Sequence, residues 1–377
     1  MTDKENKTVS RRSFLRGTAV VGGAAAGSVL AAPAVLAQAP LTLRMQTSWP
    51  ASDIWQEFAQ DYVDMVEAMS GGRLAIELLP AGAVVGAFQV MDGVSDGVID
   101  IAHSVPVYWY GKHKGASFFG TGPVFGGSAH TMLAWFNNGG GAEFYRELTQ
   151  DILGLDVVGF LGMPMPAQPF GWFKTEVNTA ADIEGFKYRT VGLAADLLQS
   201  MGMAVSQLPG GEIVPAMERG VIDAFEFNNP TSDRRFGAQD VAEHYYLGSY
   251  HQASESFEFI FNRPTFEDMD EDLRAILQYA VHASATANYG KALDNYSRDL
   301  AELQEGGVNV HRTSPEILEA QLGAWDTLIT DLESDEFNKR VMDSQRAWTD
   351  RVSYYELMNA PDYQLAYDRY FPDRLAL

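Results

Sequence analysis

The chain has 377 residues, of which 46% are hydrophobic and 20% are charged, and it contains no cysteine. This composition is that of a globular protein long enough for two domains, and the lack of cysteine excludes disulfides, thiolate zinc sites, iron–sulfur clusters and cysteine nucleophiles. The 50 acidic residues outnumber the 27 basic ones and give a net charge of -23, which argues against nucleic acid or anionic lipid as the partner, because both are polyanions.

The first 37 residues have the pattern of an export signal. A twin-arginine pair, Arg11 and Arg12, lies in residues 10–16 (SRRSFLR), and an apolar stretch without any acid follows at residues 18–36. We predict a twin-arginine signal peptide over residues 1–37, cleaved after Ala37, and a location in the periplasm. The alternative is a membrane anchor, which the Ala/Gly-rich composition and Pro33 disfavour. Because this leader holds five basic and two acidic residues, residues 38–377 retain 22 basic and 48 acidic ones and a net charge of -26.

Strand and helix patterns alternate after the leader. Residues 41–47 alternate like a strand, and Asp53 then precedes a helical pattern that ends at the glycines of residues 70–72. Further strands are predicted at residues 74–79, 99–103, 155–163, 171–174, 187–190, 204–208, 224–227 and 257–262. Strand–helix–strand units of this kind predict an α/β fold with a partly parallel sheet.

A weak internal repeat indicates two similar lobes. Residues 79–82 (LPAG) precede a helical stretch that ends in residues 97–100 (GVID), and residues 208–211 (LPGG) precede another that ends in residues 220–223 (GVID). Chance recurrence of the second motif is the alternative. If the copies are equivalent, two α/β lobes face each other across a cleft that closes by a hinge, with the ligand at the carboxyl ends of the strands.

A long helix is predicted over residues 271–303, opening with acids and closing at Gly306 and Gly307. A helix of about 33 residues is roughly 50 Å long. This exceeds one small lobe, so we expect the helix to span both.

Motifs of common enzyme sites are missing from the sequence. There is no glycine-rich nucleotide loop after a strand, no phosphate-binding lysine loop, no Gly-x-Ser-x-Gly elbow, and the seven histidines have no paired metal spacing. The candidates that remain are polar residues at predicted strand ends, namely Gln168, Arg189 and Glu226. An arginine at such a position can hold a carboxylate through two parallel hydrogen bonds, although a surface ion pair is an equal alternative. For residues 226–230 (EFNNP) the alternative is a simple turn.

Aromatic residues also follow predicted strands. They are Trp49, Tyr108, Trp109, Trp172 and Phe227. Some of these rings could form the wall of a ligand pocket, although most aromatic residues are core. Tyr108 and Trp109, after the third strand, are our candidates for the wall in the first lobe.

Several segments together resemble the solute-binding subunits of tripartite ATP-independent periplasmic (TRAP) transporters, the DctP-like family. The matching segments are residues 43–50 (LRMQTSWP), 97–100 (GVID), 183–189 (IEGFKYR), 208–212 (LPGGE) and 216–226 (AMERGVIDAFE). The resemblance covers residues 41–345 in order. It implies a two-lobed periplasmic binding protein with a hinge and a long helix spanning both lobes. It also implies TRAP permease membrane subunits as partners.

Within this family the chain looks most like the branch that binds 2-oxoacids. The resemblance implies that Gln168 and Arg189 grip the substrate carboxylate, while Glu226 and the Phe227 carbonyl hold a cation. The last cation ligand of that branch is a second Glu, and Gln252 stands there in this sequence. The change removes one negative charge, so the expected ion is a weakly held Na⁺ or Ca²⁺, or none, unless Glu255 compensates.

The sequence therefore predicts an exported receptor that binds a small organic carboxylate, a 2-oxoacid, and delivers it to a permease without catalysing a reaction. The alternatives are an exported metal-dependent hydrolase with Glu226 as general base, which lacks histidine ligands and nucleophile motifs, and a structural envelope protein. We predict lobe I from residues 38–166 and 255–295 and lobe II from residues 167–254 and 296–345. A C-terminal helical extension is predicted over residues 346–377, and its tyrosines could support a homodimer.

Overall fold

The computed structural model describes residues 39–375. The strands of this part of the chain form two sheets. The first sheet has the order β2-β1-β3-β10-β4 and the second the order β11-β9-β5-β8-β6-β7. In chain order the strands are β1 (Leu41–Thr47), β2 (Leu74–Leu79), β3 (Ile101–Ser104), β4 (Val157–Met165), β5 (Gly171–Phe173), β6 (Lys187–Arg189), β7 (Ala204–Ser206), β8 (Ala224–Phe225), β9 (His244–Leu247), β10 (Glu255–Asn262) and β11 (Asn309–Arg312).

Helices pack around both sheets. The α-helices of the described part are α1 (Ile54–Ser70), α2 (Val90–Ser95), α3 (Ala129–Asn138), α4 (Gly141–Arg146), α5 (Leu193–Ser200), α6 (Ile213–Glu218), α7 (Pro230–Arg235), α8 (Arg263–Glu267), α9 (Glu271–Glu305), α10 (Pro315–Leu332), α11 (Glu336–Asn359) and α12 (Tyr363–Tyr370). Asp53 caps α1 by accepting from the Trp55 amide, and Gly71 ends it in a left-handed conformation. Within residues 39–375 no helix is both long and apolar enough to span a membrane.

The predicted repeat corresponds to equivalent parts of the two sheets. In the first sheet β1 pairs in parallel with β2 and β3, and in the second sheet β6 pairs in parallel with β7 and β8. Gly97 and Gly220 both have a φ near +70°, which glycine adopts without strain. Asp100 and Asp223 each accept from the backbone amide of a residue in the central strand, Arg44 in β1 and Lys187 in β6. The repeated tetrapeptide therefore ends a helix and fixes the next strand in register.

All nine predicted strands are present, with ends shifted by up to two residues on most of them. Two short strands, β9 and β11, were not predicted. They pair in parallel at one side of the second sheet, where the side chains of β9 are only partly apolar and those of β11 are half-buried or exposed. The prediction of an α/β fold with partly parallel sheets is confirmed.

The long helix α9 packs against both sheets, as predicted. Its first two thirds contribute Leu277, Val281 and Ala285 to the core under the first sheet. Its last turns contribute Leu303, with Leu300 beside it, to the core under the second sheet. At 35 residues the helix is about 52 Å long.

The predicted twin-arginine signal lies in residues 1–37, outside the described residues.

Candidate functional site

A small buried cavity lies where the carboxyl ends of strands from both sheets meet. The space within it that a water centre can reach is about 10 Å³, about what one water molecule occupies. Its lining residues follow or end β1, β3, β4, β6 and β8, or begin the antiparallel β10; they are Trp49, Val105, Val107, Tyr108, Gln168, Arg189, Val191, Phe227, Asn228 and Glu255. Because the cavity is this small, no solute larger than water fits unless the lining residues move apart.

Arg189, the last residue of β6, is 1% exposed. Its Nε donates to the Leu208 carbonyl at 2.8 Å, and its Nη1 donates to the Glu226 carbonyl at 2.7 Å and to Glu226 Oε1 at 3.0 Å. Its Nη2 has no partner within the described residues, and the Phe227 ring centroid lies 5.7 Å from the guanidinium carbon. The protein thus fixes two of the three nitrogens and leaves Nη2 for a ligand. The two N–H groups of Nη2 diverge, so with Nε and Nη1 occupied Arg189 offers a carboxylate single hydrogen bonds from Nη2 and not the two parallel bonds expected from the sequence.

Glu226 follows β8 and is also buried. Burial raises the pKa of its carboxyl to about 7, against the lowering effect of the Arg189 charge. Oε2 of this carboxyl accepts no hydrogen bond from the described residues. Arg189 and Glu226 therefore form a buried ion pair in which each partner keeps one unused polar atom.

Gln168, Asn228 and Glu255 form a second buried group. Glu255 Oε1 accepts from Gln168 Nε2 at 2.7 Å, and Glu255 Oε2 accepts from Asn228 Nδ2. Burial raises the pKa of the Glu255 carboxyl to about 8, against the lowering effect of the Asn228 hydrogen bond. Gln168 Oε1 is left without a partner in the described structure.

Gln252 lies next to this group. Its backbone carbonyl accepts from the Gln168 amide at 3.1 Å, its Nε2 donates to Thr190 Oγ1 at 3.3 Å, and its Oε1 is buried without a described partner. Among the described residues no three Asp, Glu, His or Cys side chains are grouped closely enough to hold a metal ion. A cation at this position would therefore depend on amide and backbone carbonyl oxygens as well as carboxylates.

The structure brings most of the predicted site residues together. Gln168, Arg189, Tyr108 and Phe227 line the cavity, and Glu226 and Gln252 contact the residues that do. Trp109 does not line it. Its indole N–H donates to Glu258, and its ring packs in the core on the far side of the first sheet. Tyr108 and Trp109 are neighbours in a 3₁₀ turn, so their side chains leave it in different directions.

Other lining residues were not predicted as ligand contacts. The apolar ones are Val105, Val107 and Val191, which come directly after strand ends. Their position after β3 and β6 could have identified them, because ligands bind at the carboxyl ends of strands and this rule also selected Arg189. Asn228 lies in residues 226–230, where only Glu226 and Phe227 were expected to bind the cation. Glu255 was considered only as a replacement for the carboxylate that Gln252 lacks.

Four unused polar atoms belong to residues that line the cavity, Gln168 and Arg189, or to residues hydrogen-bonded to them, Glu226 and Gln252. Gln168 Oε1, Arg189 Nη2, Glu226 Oε2 and Gln252 Oε1 are all buried and unpaired within the described residues. A larger groove of about 780 Å³ beside Lys114 and Asp196 contains one such atom, Asn338 Oδ1. Because an unpaired buried polar group costs about 1–3 kcal/mol, four of them together indicate a place for a polar ligand. One donor and three oxygens suit an anion bound beside a cation.

A family model supports this conclusion. The model of the bacterial extracellular solute-binding proteins, family 7 (DctP), matches residues 45–335. The chain belongs to this family. Family 7 proteins are extracytoplasmic receptors that bind solutes and work with membrane permeases, so the alternative of a hydrolase with Glu226 as general base is not supported.

Individual relatives agree with the family assignment. The chain is 30% identical over 324 residues to a monocarboxylate 2-oxoacid-binding periplasmic protein of Nostoc sp. PCC 7120, covering 85% of this chain and 87% of that protein. A TRAP solute-binding protein of Bordetella bronchiseptica RB50, a mixed-occupancy dimer with copurified calcium and picolinate, has a TM-score of 0.81 at 26% identity, covering 88% of this chain and 97% of that one. Another from Pseudoalteromonas atlantica T6c, with bound sodium and pyruvate, has a TM-score of 0.80 at 28% identity, covering 88% and 99%.

Proposed function

We propose that this family 7 protein binds a small 2-oxo monocarboxylate, such as pyruvate, together with Na⁺ or Ca²⁺ and delivers it to TRAP permease subunits. The observation that carries the proposal is the group of four unpaired buried polar atoms around the cavity. The relatives that bind 2-oxoacids, pyruvate or picolinate support it.

The ligand carboxylate would be held by Arg189 and Gln168. Arg189 Nη2 is the free charged donor, and Gln168 Nε2 can exchange its bond to Glu255 for one to the ligand. The same lining includes the apolar side chains of Val105 and Val107 and the ring of Tyr108. A short acyl chain fits such a wall, while a second carboxylate would be left without a counter-charge there.

The cation would be held by oxygen atoms alone. Glu226 Oε2 and Gln252 Oε1 are the free protein oxygens, and the Phe227 carbonyl is the third proposed ligand. Oxygen ligands suit Na⁺ and Ca²⁺. When bound, the cation would offset the charges of Glu226 and of the ligand. Gln252, which replaces a Glu, should make the Ca²⁺ site weaker here. Glu255 already accepts hydrogen bonds from Gln168 and Asn228, and it would compensate for the missing carboxylate if the cation ionised it.

Calorimetric titration of pyruvate tests the proposal. The mature protein is dialysed against chelator in sodium-free buffer and titrated without a cation, with NaCl and with CaCl₂. We expect either cation to raise pyruvate affinity about tenfold or more, and pyruvate to raise cation affinity by the same factor, because binding linkage is reciprocal. Glu226→Gln should abolish this coupling, and Gln252→Glu should strengthen Ca²⁺ binding. Unchanged affinity under all three conditions, together with normal binding by Glu226→Gln, would reject the cation site.

Export by the twin-arginine route is part of the proposal. The supporting observation is the Arg11–Arg12 pair ahead of an acid-free apolar stretch. Replacing both arginines by lysine should leave the precursor in the cytoplasm, whereas replacing Lys4 and Lys7 should not. Cell fractionation distinguishes the two outcomes.

We retain the lobe boundaries as a proposal. The first-sheet strands all fall within residues 38–166 and 255–295, and the second-sheet strands within residues 167–254 and 296–345. The packing of α11 fits this division less well, because Phe337, Val341 and Met342 contact the core on the first-sheet side.

Besides the permease subunits, we propose a second copy of this chain as a partner, bound through the C-terminal helices. Apolar and aromatic side chains in the last turns of α11 and in α12 are largely exposed, among them Tyr354, Tyr355, Tyr363 and Tyr370 at 65–73% exposure. The Bordetella bronchiseptica relative is a dimer. Light scattering should give twice the chain mass at micromolar concentration, and a chain ending at Asn359 should show a lower dimer fraction. A monomer mass for the complete mature chain would exclude a stable dimer.

A further inference from the structure

A continuous line of buried hydrogen bonds leads from the cavity to a contact between the two sheets outside it. At the cavity, Glu255 Oε2 accepts from Asn228 Nδ2. Asn229 Nδ2 donates to Asn228 Oδ1 at 2.6 Å and to Ser232 Oγ at 3.1 Å. The Ser232 hydroxyl donates to Asp53 Oδ1 at 3.0 Å. Every one of these side chains is buried.

The two ends of this line belong to the first sheet and the middle to the second. Glu255 begins β10, and Asp53 is the N-cap of α1, which packs on the first sheet. Asn228 and Asn229 follow β8 of the second sheet, and Ser232 is in α7, whose Asp233 accepts from the indole of Trp172 in β5. The segment 228–232 is therefore held by the first sheet at two acidic side chains, one in the cavity and one outside it.

The contact at Asp53 differs from the ion pairs around it. Arg235 Nη1 donates to Glu57 Oε1 at 2.8 Å and to the Ser52 carbonyl at 3.2 Å, but this pair is partly exposed and contributes little. The Ser232–Asp53 bond is buried and made to a carboxylate, and such bonds contribute more than neutral or exposed ones.

We propose that segment 228–232 is a clasp between the lobes, in which Asn229 and Ser232 are positioning residues that slow the release of the bound solute. The proposal rests on the proposed function. When segment 228–232 moves away from the first sheet, the bonds at Glu255 and at Asp53 both break. Asn229 Nδ2 donates both to Asn228 Oδ1 and to Ser232 Oγ. A displacement of Asn228 in the cavity therefore also moves Asn229 and weakens the bond that orients the Ser232 hydroxyl. Solute release is thus linked to a bond that the solute does not touch.

The decisive variant is Ser232→Ala. It removes the hydroxyl and keeps the Ser232 amide bond to Asn229 Oδ1 that caps α7. Stopped-flow measurement with pyruvate and CaCl₂ should show release about tenfold faster than wild type, an association rate within twofold, and a ligand-free Tm within about 2 °C. Asp53→Asn keeps an acceptor for both Ser232 and the Trp55 amide but makes both bonds neutral, so its release rate should lie between those of wild type and Ser232→Ala.

Ser284→Ala is the matched control. Ser284 is an equally buried helical serine whose hydroxyl bonds only within its own helix, to the Val281 carbonyl. Release at the wild-type rate from Ser232→Ala would overturn the proposal. Equal acceleration by Ser284→Ala would also overturn it, because the effect would then be one of general packing.

A second measurement does not depend on the ligand. Because the chain has no cysteine, cysteines at exposed Glu77 and Glu218, one beside each sheet, can carry spin labels whose separation reports closure. Ser232→Ala should lower the closed fraction several-fold relative to Ser284→Ala. Failure of wild type to bind pyruvate while this shift is observed would reject the proposed ligand and leave the clasp standing; an unchanged distance distribution would reject the clasp.

Discussion

Arg189 is held so firmly by its own protein that its remaining N–H groups point in a fixed direction. Replacing it by alanine should lower pyruvate affinity by two to four decades, because removing one partner from a buried charge pair typically costs about 3–5 kcal/mol. Arg189→Lys keeps the charge but cannot reach the Leu208 and Glu226 carbonyls together, so a loss of at least tenfold is expected. Titration calorimetry measures both.

Stability has to be measured alongside binding, because Arg189→Ala leaves Glu226 buried without its partner. The double variant Arg189→Ala/Glu226→Gln removes the orphaned charge and covers the case in which the single variant does not fold. Unchanged pyruvate affinity in either folded variant would remove Arg189 from the binding site.

Single residues of the site could be predicted only where their own sequence neighbours identify their position, such as the end of a strand. Arg189 and Glu226 stand at strand ends, and this was enough to select them. Trp109 and Tyr108 stand at the same strand end, but the turn that separates their side chains forms through packing that the sequence does not display. Gln252 and Glu255 lie three residues apart, and only the start of β10 determines that both face the cavity region.

The two repeated turns, at Gly97 and Gly220, both contain a glycine with a positive φ. Gly220 has φ +67°, and a Cβ built there would touch nothing within 4 Å. Gly220→Ala should therefore lower the free energy of unfolding by about 1–2 kcal/mol through backbone strain alone. Gly211→Ala is the control, since that glycine is equally free of neighbours and does not have a positive φ. Urea unfolding of both variants measures the difference, and equal effects would contradict the explanation from φ.

Elements were predictable where their hydrophobic pattern was clear. Helices α1 and α9 were predicted to within two residues of the observed ends. Strands β9 (HYYL) and β11 (NVHR) were missed because neither has a clear apolar pattern; β5 to β8 are shorter and were predicted. Their stability comes from pairing with each other across a gap in sequence, with His244 Nδ1 and His311 Nε2 3.1 Å apart.

Buried acids should make the whole molecule less stable as the pH rises. Burial raises the pKa of Glu258, which accepts from Trp109 and Tyr145, to about 7, and that of Asp233 to about 7. Between the ordinary pKa near 4.5 and this value the folded chain keeps a proton that the unfolded chain has lost. The free energy of unfolding therefore falls across this range and stays lower above it.

Glu258→Gln should reduce that fall by at most about 3 kcal/mol. Urea unfolding at pH 5 and pH 8 measures it. Glu77→Gln, at an exposed position, controls for the removal of one negative charge from an acidic protein. The same pH dependence in Glu258→Gln and wild type would show that Glu258 is not the group responsible.

The position of β10 has a consequence for how the chain acquires its structure. β10 lies between β3 and β4 in the first sheet, yet it is synthesised about 90 residues after β4. Until residue 262 has emerged from the ribosome, β3 and β4 each keep an unpaired edge, the kind of surface that promotes aggregation. The first lobe therefore cannot complete its folding while the nascent chain is shorter than this, and its high contact order predicts slow folding. A nascent or truncated chain that ends before Glu255 is consequently the species most in need of a chaperone.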